Sequence, residues 1–141
     1  MSRAKVDLPE QMPFSTELTV RVGDINYGQH LGNDSVLGFA HEARVRFLRG
    51  YGFSERDAGG SALIMHDAVV VYKSQALMGD VLVAEVGVGG IGPCGFDLYC
   101  RLSNRKTRAE VARVKTGMAF FDFASGRVCR TPEAFRKAVS G

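Results

Sequence analysis

Asp24, Asn26, His30, Asn33 and Asp34 crowd the short stretch "GDINYGQHLGND". These residue types can hold a water molecule by hydrogen bonds and take its proton. Directly after them comes "SVLGFAHEARVRFL", whose apolar residues repeat with a helical period. A helix start carries backbone N–H groups without intrahelical partners and the positive end of the macrodipole. It can stabilise negative charge that develops on a carbonyl oxygen lying over it. Loop and helix start together therefore hold the parts for hydrolytic attack on a carbonyl: groups to position and deprotonate a water, and donors for the oxyanion.

Other chemistries are poorly supported. "GVGGIG" (Gly87, Gly89, Gly92) has dinucleotide-loop spacing, but Pro93 and an alternating strand follow it instead of the helix that would hold a pyrophosphate. It reads as a strand connection. No phosphate-binding loop, H-E-x-x-H, G-x-S-x-G or S-x-x-K motif is present. The three histidines, His30, His41 and His66, are too scattered to suggest a shared metal. The three cysteines, Cys94, Cys100 and Cys129, are odd in number and lack C-x-x-C spacing, which argues against a disulfide framework or zinc site. They read as buried structural thiols, and a Cys–His pair that meets only in space stays open. A scattered net charge of +3 does not point to nucleic acid, although it suits a ligand carrying phosphates. No run approaches the roughly 18 apolar residues of a membrane span, and "MSRAKVDLPEQMPFS" has no apolar signal region. The expectation is a cytoplasmic protein with no membrane partner, no metal and no cofactor.

The elements that must position the polar loop follow from periodicity. With 141 residues and 45% apolar content, the chain reads as a single domain over residues 1–141 with one core. Residues 1–14 read as an arm. In "STELTVRVG", Leu18, Val20 and Val22 alternate with Thr19 and Arg21, which predicts a half-buried strand over 15–23. From Asp34 to about Arg49 the period becomes 3.6. Val36, Ala40, Ala43 and Phe47 form one stripe, with Ser35, Glu42, Arg46 and Arg49 opposite. Asn33 is placed to cap this helix, and Gly50 and Gly52 to stop it. Four more strands follow, at roughly 62–74, 80–88, 94–103 and 109–123, and then a short helix in "PEAFRKAV". Short turns between strands imply antiparallel pairing. The class is α+β, with one sheet wrapping one long helix.

The stretches "VGDINYGQHLGNDSVLGFAHEARVRFL", "VVYKSQALMGDVL" and "VARVKTGMAFFDFASGRV" resemble the hot-dog-fold acyl-CoA thioesterases of the 4-hydroxybenzoyl-CoA thioesterase type. The likeness covers about residues 15–135. It implies a long central helix wrapped by a curved antiparallel sheet of five to six strands. It also implies homodimers or homotetramers, and hydrolysis of an acyl- or aryl-CoA at the subunit interface to free acid and CoA. Many members carry a carboxylate two residues after the first acid of this loop, where this chain has Asn26. Asn26 can orient a water but cannot accept its proton. Asp34 is then the nearest carboxylate to the helix mouth, and Glu42 the second candidate.

The resemblance and the position of the loop at the helix mouth together make Asn26, His30 and Asp34 the catalytic candidates, with Gly32, Asn33, Glu42 and Tyr72 as substrate contacts. Each residue also has a structural reading. Asp34 is favourable in any first helical turn. Asn33 can be a cap, and Glu42 can pair with Arg46 across one turn. His30 can bond the loop, Asp24 can cap it, and Tyr72 can be core or interface. A protein that binds acyl thioesters without turnover is the alternative to the enzyme. A hot-dog hydratase is a third reading, but the His and acid motifs it needs are not found.

Overall fold

The computed structural model describes residues 2–140. Its strands are β1 (Phe14–Thr19), β2 (Ala62–Tyr72), β3 (Val81–Gly89), β4 (Gly95–Asn104), β5 (Glu110–Asp122) and β6 (Arg127–Val128). Its helices are α1 (Asn33–Gly50) and α2 (Glu133–Ser140), and a 3-10 turn covers Val22–Asp24. All pairings are antiparallel, in the order β1-β3-β4-β5-β2, and β6 adds to β5. No helix of the described residues is long and apolar enough to cross a membrane.

The sheet order explains the helix. β1 and β2 are the consecutive strands on either side of α1, yet they lie at opposite edges. The intervening chain must span the sheet, and 18 helical residues cover about 27 Å. The apolar stripe faces the strands beneath: Val36, Phe39, Ala40, Ala43, Phe47 and Leu48 are buried. They meet Leu82, Ala84 and Val86 of β3, Leu98, Cys100 and Leu102 of β4, and Val114 and Met118 of β5 in one core. Ala40 and Ala43 carry no bulk, so the helix can lie close on the sheet. This is the hot-dog arrangement. At the far end Phe135 of α2 is fully buried, with ring centroids 4.6 Å from Phe96 and 5.1 Å from Phe120.

Three expectations need correction. The first strand stops at Thr19: Val20 is buried, whereas Val22 is 75% exposed in the 3-10 turn. The alternation ends because Val20 is drawn into bonds with the turn before β3, donating to Asp80 O and accepting from Gly79 N–H. The N-cap of α1 is Gly32, not Asn33, which is the first helical residue. Gly32 N–H is already bound by Asp24 O at 2.9 Å, and Gly32 O accepts from Ser35 N–H at 3.0 Å, so extended backbone ends there. Finally, only Cys100 is a buried thiol; Cys94 is exposed and Cys129 half-buried. Residues 2–13 of the expected arm have no regular structure but are packed down at Val6, which is buried and whose carbonyl accepts from Arg113 Nη1 at 3.0 Å, while Phe14 already belongs to β1.

The E-A-R segment of α1 contributes a buried charge. The Arg44 side chain is 7% exposed, and its Nε donates to Glu55 Oε2 at 2.8 Å, while His41 Nε2 bonds Glu55 Oε1 at 2.8 Å. Burial opposes ionisation of Glu55, but the His41 and Arg44 hydrogen bonds outweigh it and hold the carboxyl below its ordinary 4.5. The stabilisation is therefore complete above the unfolded value and is lost as pH falls through the folded one. Glu55→Gln is expected to cost about 1–3 kcal/mol at pH 7 in urea unfolding. The gap to the parent protein should shrink toward pH 3; a gap unchanged by acid would contradict this account.

Candidate active site

The loop between β1 and α1 is closed by its own backbone and by one carboxamide. Asn26 N–H donates to His30 O and Gln29 N–H to Asn26 O, both at 2.9 Å. Asn26 Oδ1 accepts from Gly28 N–H at 2.9 Å and His30 N–H at 3.3 Å. Since both partners are N–H donors, this atom must be the oxygen, and only the Asn26 NH2 remains outward. Asp24 serves the loop as expected, its Oδ2 accepting from Arg21 N–H at 2.8 Å. Leu31 N–H is tied to Ala76 O at 2.8 Å. The chain therefore enters α1 along a fixed path. The His30 ring lies by Gly28, where a Cβ would stand 3.7 Å from Nδ1, and has no hydrogen-bond partner among the described residues.

The helix start is open. Asn33 and Asp34 are exposed, and neither N–H has a hydrogen-bond partner among the described residues. Asp34 folds back over the cap, so that a Cβ on Gly32 would meet Asp34 Oδ1 at 2.5 Å. The glycine at this position makes room for the carboxylate. A cavity of about 280 Å³ reaches this end of the helix, lined by Asn33, Val36, Tyr72, Lys73, Gln75 and Val111 among others. Tyr72 comes from the last residue of β2, and its hydroxyl donates to Asn33 O at 3.0 Å. This bond pins the first turn of α1 to the edge strand. Lys73 closes the cavity wall and has no ion-pair partner among the described residues.

The residues singled out from the sequence are not all assembled together. Asn33 and Tyr72 line this cavity, whereas Gly32 and Asp34 are next to Asn33 in the chain but are not among the lining residues. Glu42 lies eight residues beyond Asp34, about 12 Å along the helix axis. It faces a separate groove of about 540 Å³ with Asp24, Ser35, Gly38 and Phe39. There it pairs with Arg46 at 2.8 Å, and Arg46 also donates to Thr16 Oγ1 at 2.7 Å. Sequence reading did not single out the wall residues Ser74, Gln75 and Ala76, although "KSQA" directly follows Tyr72. Among the described residues no group of three or more His, Cys, Asp or Glu could hold a metal ion. The arrangement can bind negative charge on an oxygen at two free amides beside one carboxylate.

Comparison with known proteins agrees with this architecture. The family model described as "Thioesterase-like superfamily" matches residues 20–139. A search of the curated proteins gave no significant match. The fold is shared with a 1,4-dihydroxy-2-naphthoyl-CoA thioesterase from Synechocystis, at TM-score 0.82 and 19% identity, covering 90% of this chain and 95% of that one. A gentisyl-coenzyme A thioesterase aligns at TM-score 0.77 and 18% identity over 91% of this chain and 100% of its own. A thioesterase-superfamily protein from Jannaschia sp. CCS1 gives 0.81 and 16%, over 93% and 83%. At these identities the structural likeness is one of fold.

Tyr72→Phe tests the bond that fixes the helix start. Loss of one hydrogen bond to a partly exposed carbonyl is expected to cost about 0.5–1.5 kcal/mol in urea unfolding. Hydrogen exchange should quicken most in the first turn of α1. Unchanged exchange there would show that the hydroxyl holds nothing.

Proposed function

Because the chain belongs to the thioesterase-like superfamily, we propose that it hydrolyses an acyl- or aryl-CoA thioester to the free acid and CoA. The observation that carries this reading is the open start of α1. Two N–H groups without partners among the described residues lie in the first turn, where Asn33 lines a cavity, with the Asp34 carboxylate folded over Gly32 beside them. The thioester carbonyl lies with its oxygen toward the Asn33 and Asp34 amides. Asp34 takes a proton from water as the hydroxyl attacks the carbonyl carbon. One negative charge then moves from the carboxylate to the oxyanion, and the same helix end favours it before and after. Asp34 would repel the oxyanion if it stayed ionised, and proton transfer removes that conflict. Collapse expels the CoA thiolate. A thiol of pKa about 8.5 leaves without a strong acid, so no second carboxylate is required.

His30, whose ring is unbonded on the loop, and the free NH2 of Asn26 donate to the attacking water or to the substrate. Lys73, beside the cavity, attracts the phosphates of CoA, and Lys106 and Arg108 on the β4–β5 turn lie at the same end of the sheet. No cofactor takes part. The active form is a homodimer. β2 is an 11-residue edge strand whose outer side pairs with no described strand, and Met65 and Tyr72 on it are 42% and 49% exposed. An unpaired edge of this length invites strand addition. A second copy along β2 would extend the sheet and place its own residues at the cavity mouth.

Thiol release from a panel of short, long and aryl acyl-CoAs tests the activity. Asp34→Ala is expected to lower turnover about 100-fold or more with the fold retained, and Gly32→Ala to lower it by pushing the carboxylate aside. Near-normal turnover in Asp34→Ala would reject Asp34 as base. Binding without release across the panel would make the protein a carrier of acyl thioesters. Light scattering on a sizing column should give a dimer that Met65→Lys/Val71→Lys dissociates, and a monomeric parent protein would contradict the edge pairing.

A further inference from the structure

Cys94 and Cys129 are distant in sequence but meet at one residue. Phe120 N–H donates to Cys94 O at 3.1 Å, and Phe120 O accepts from Cys129 N–H at 2.9 Å. Both chains lie on the same side of β5, since β2 occupies the other with Leu63 opposite Phe120. On the shared side Gly95 pairs with Ala119, and Val128 pairs with Phe121. Residues 94 and 129 therefore both fall at the register of Phe120, where β6 gives way to β4. Thr131 clamps the junction, its N–H on Pro93 O and its Oγ1 on Gly92 O, each at 2.8 Å. The N–H and C=O of one residue are only a few ångströms apart. Two cysteines bound to them have neighbouring backbones, and closeness of backbone is what a disulfide requires, its Cα atoms lying roughly 4.4–6.8 Å apart.

Accessibility separates this pair from the third thiol. Cys94 is exposed, and Cys129 borders a cavity of about 440 Å³ that it shares with Arg56, Phe121 and Phe123. Cys100 is fully buried on β4, where burial and the Glu85 charge push its thiol up to about 12.

We infer that Cys94 and Cys129 form a reversible intramolecular disulfide, with a low-molecular-weight disulfide such as oxidised glutathione as the electron acceptor. The Cys94 thiolate attacks one glutathione sulfur; a protein–glutathione bond forms, the glutathione S–S bond breaks, and one glutathione thiolate leaves. The Cys129 thiolate then attacks Cys94 Sγ and expels the second glutathione thiolate. Two protein thiols are oxidised, one glutathione disulfide is reduced, and the two protons released are taken up by the departing thiolates. The bond fastens the entry of β4 to the segment that leads into α2, and so holds Phe135 in the end of the core. It lies away from the α1 start and owes nothing to the hydrolytic reading.

The test is to incubate the protein with oxidised glutathione and then count free thiols, measure mass and run non-reducing gels. One thiol of three should stay reactive after unfolding, with the mass of two hydrogens lost and a monomeric band. Chymotryptic mapping should join the two peptides, since Phe96 separates Cys94 from Cys100. Oxidation should raise Tm by about 5 °C or more. Cys94→Ser and Cys129→Ser should each abolish the bond, leaving a stable glutathione adduct on the remaining cysteine. Stable adducts on both cysteines of the parent protein, three reactive thiols, or a cross-link between chains would overturn the inference.

Discussion

The molecule turns on how one helix begins. A helix can start only by leaving backbone N–H groups unpaired, and most proteins cover them with a side-chain cap. Here no side chain caps α1. Gly32 occupies the cap position, its own N–H is taken by Asp24 O, and the amides of Asn33 and Asp34 are left free. The cap glycine also gives the Asp34 carboxylate its place, since any Cβ would collide with Oδ1. One small residue thus leaves both the donors and the acceptor available.

Everything around that start serves to hold it still. Asn26 gives its carboxamide oxygen to two loop amides, Leu31 is bonded to Ala76, and Tyr72 ties the first turn to the edge of the sheet. The topology provides the setting. Because β1 and β2 lie at opposite edges, α1 must cross the sheet, and its N-terminus emerges beside the end of β2 where Lys73 and the following residues close a cavity. Buried Arg44 and half-buried Glu55 fasten the middle of the helix to the chain that leads into β2. A charge appearing at the helix start therefore meets dipoles already in place.

Much of this is legible in the sequence, for reasons that particular residues make clear. Phe96, Leu98, Cys100 and Leu102 announce β4 because a half-buried strand needs a period of two, and the structure buries all four. The helical stripe from Val36 to Phe47 is legible for the same kind of reason, as is the Glu42–Arg46 pair. What fails is set by contacts distant in sequence. Val22 continues the alternation of β1, but the turn before β3 pulls Val20 away and ends the strand. Asn33 has the right chemistry for a cap, yet the bond from Gly32 to Asp24 shifts the boundary by one residue. The cysteines read alike, and only strand register separates Cys94 and Cys129 from buried Cys100. The cavity wall at residues 73–76 depends on bonds to Val111 and Leu31 that no local pattern announces.

Amide spectra can test the central claim directly. The probe is an acyl-CoA analogue in which a methylene replaces the thioester sulfur, leaving a ketone that cannot be hydrolysed. With the backbone labelled and assigned, the account predicts that the Asn33 and Asp34 amide protons move downfield as the analogue saturates, with smaller changes along the rest of α1. If the analogue binds while those two amides stay where they are and shifts gather elsewhere, the helix start does not hold the carbonyl oxygen.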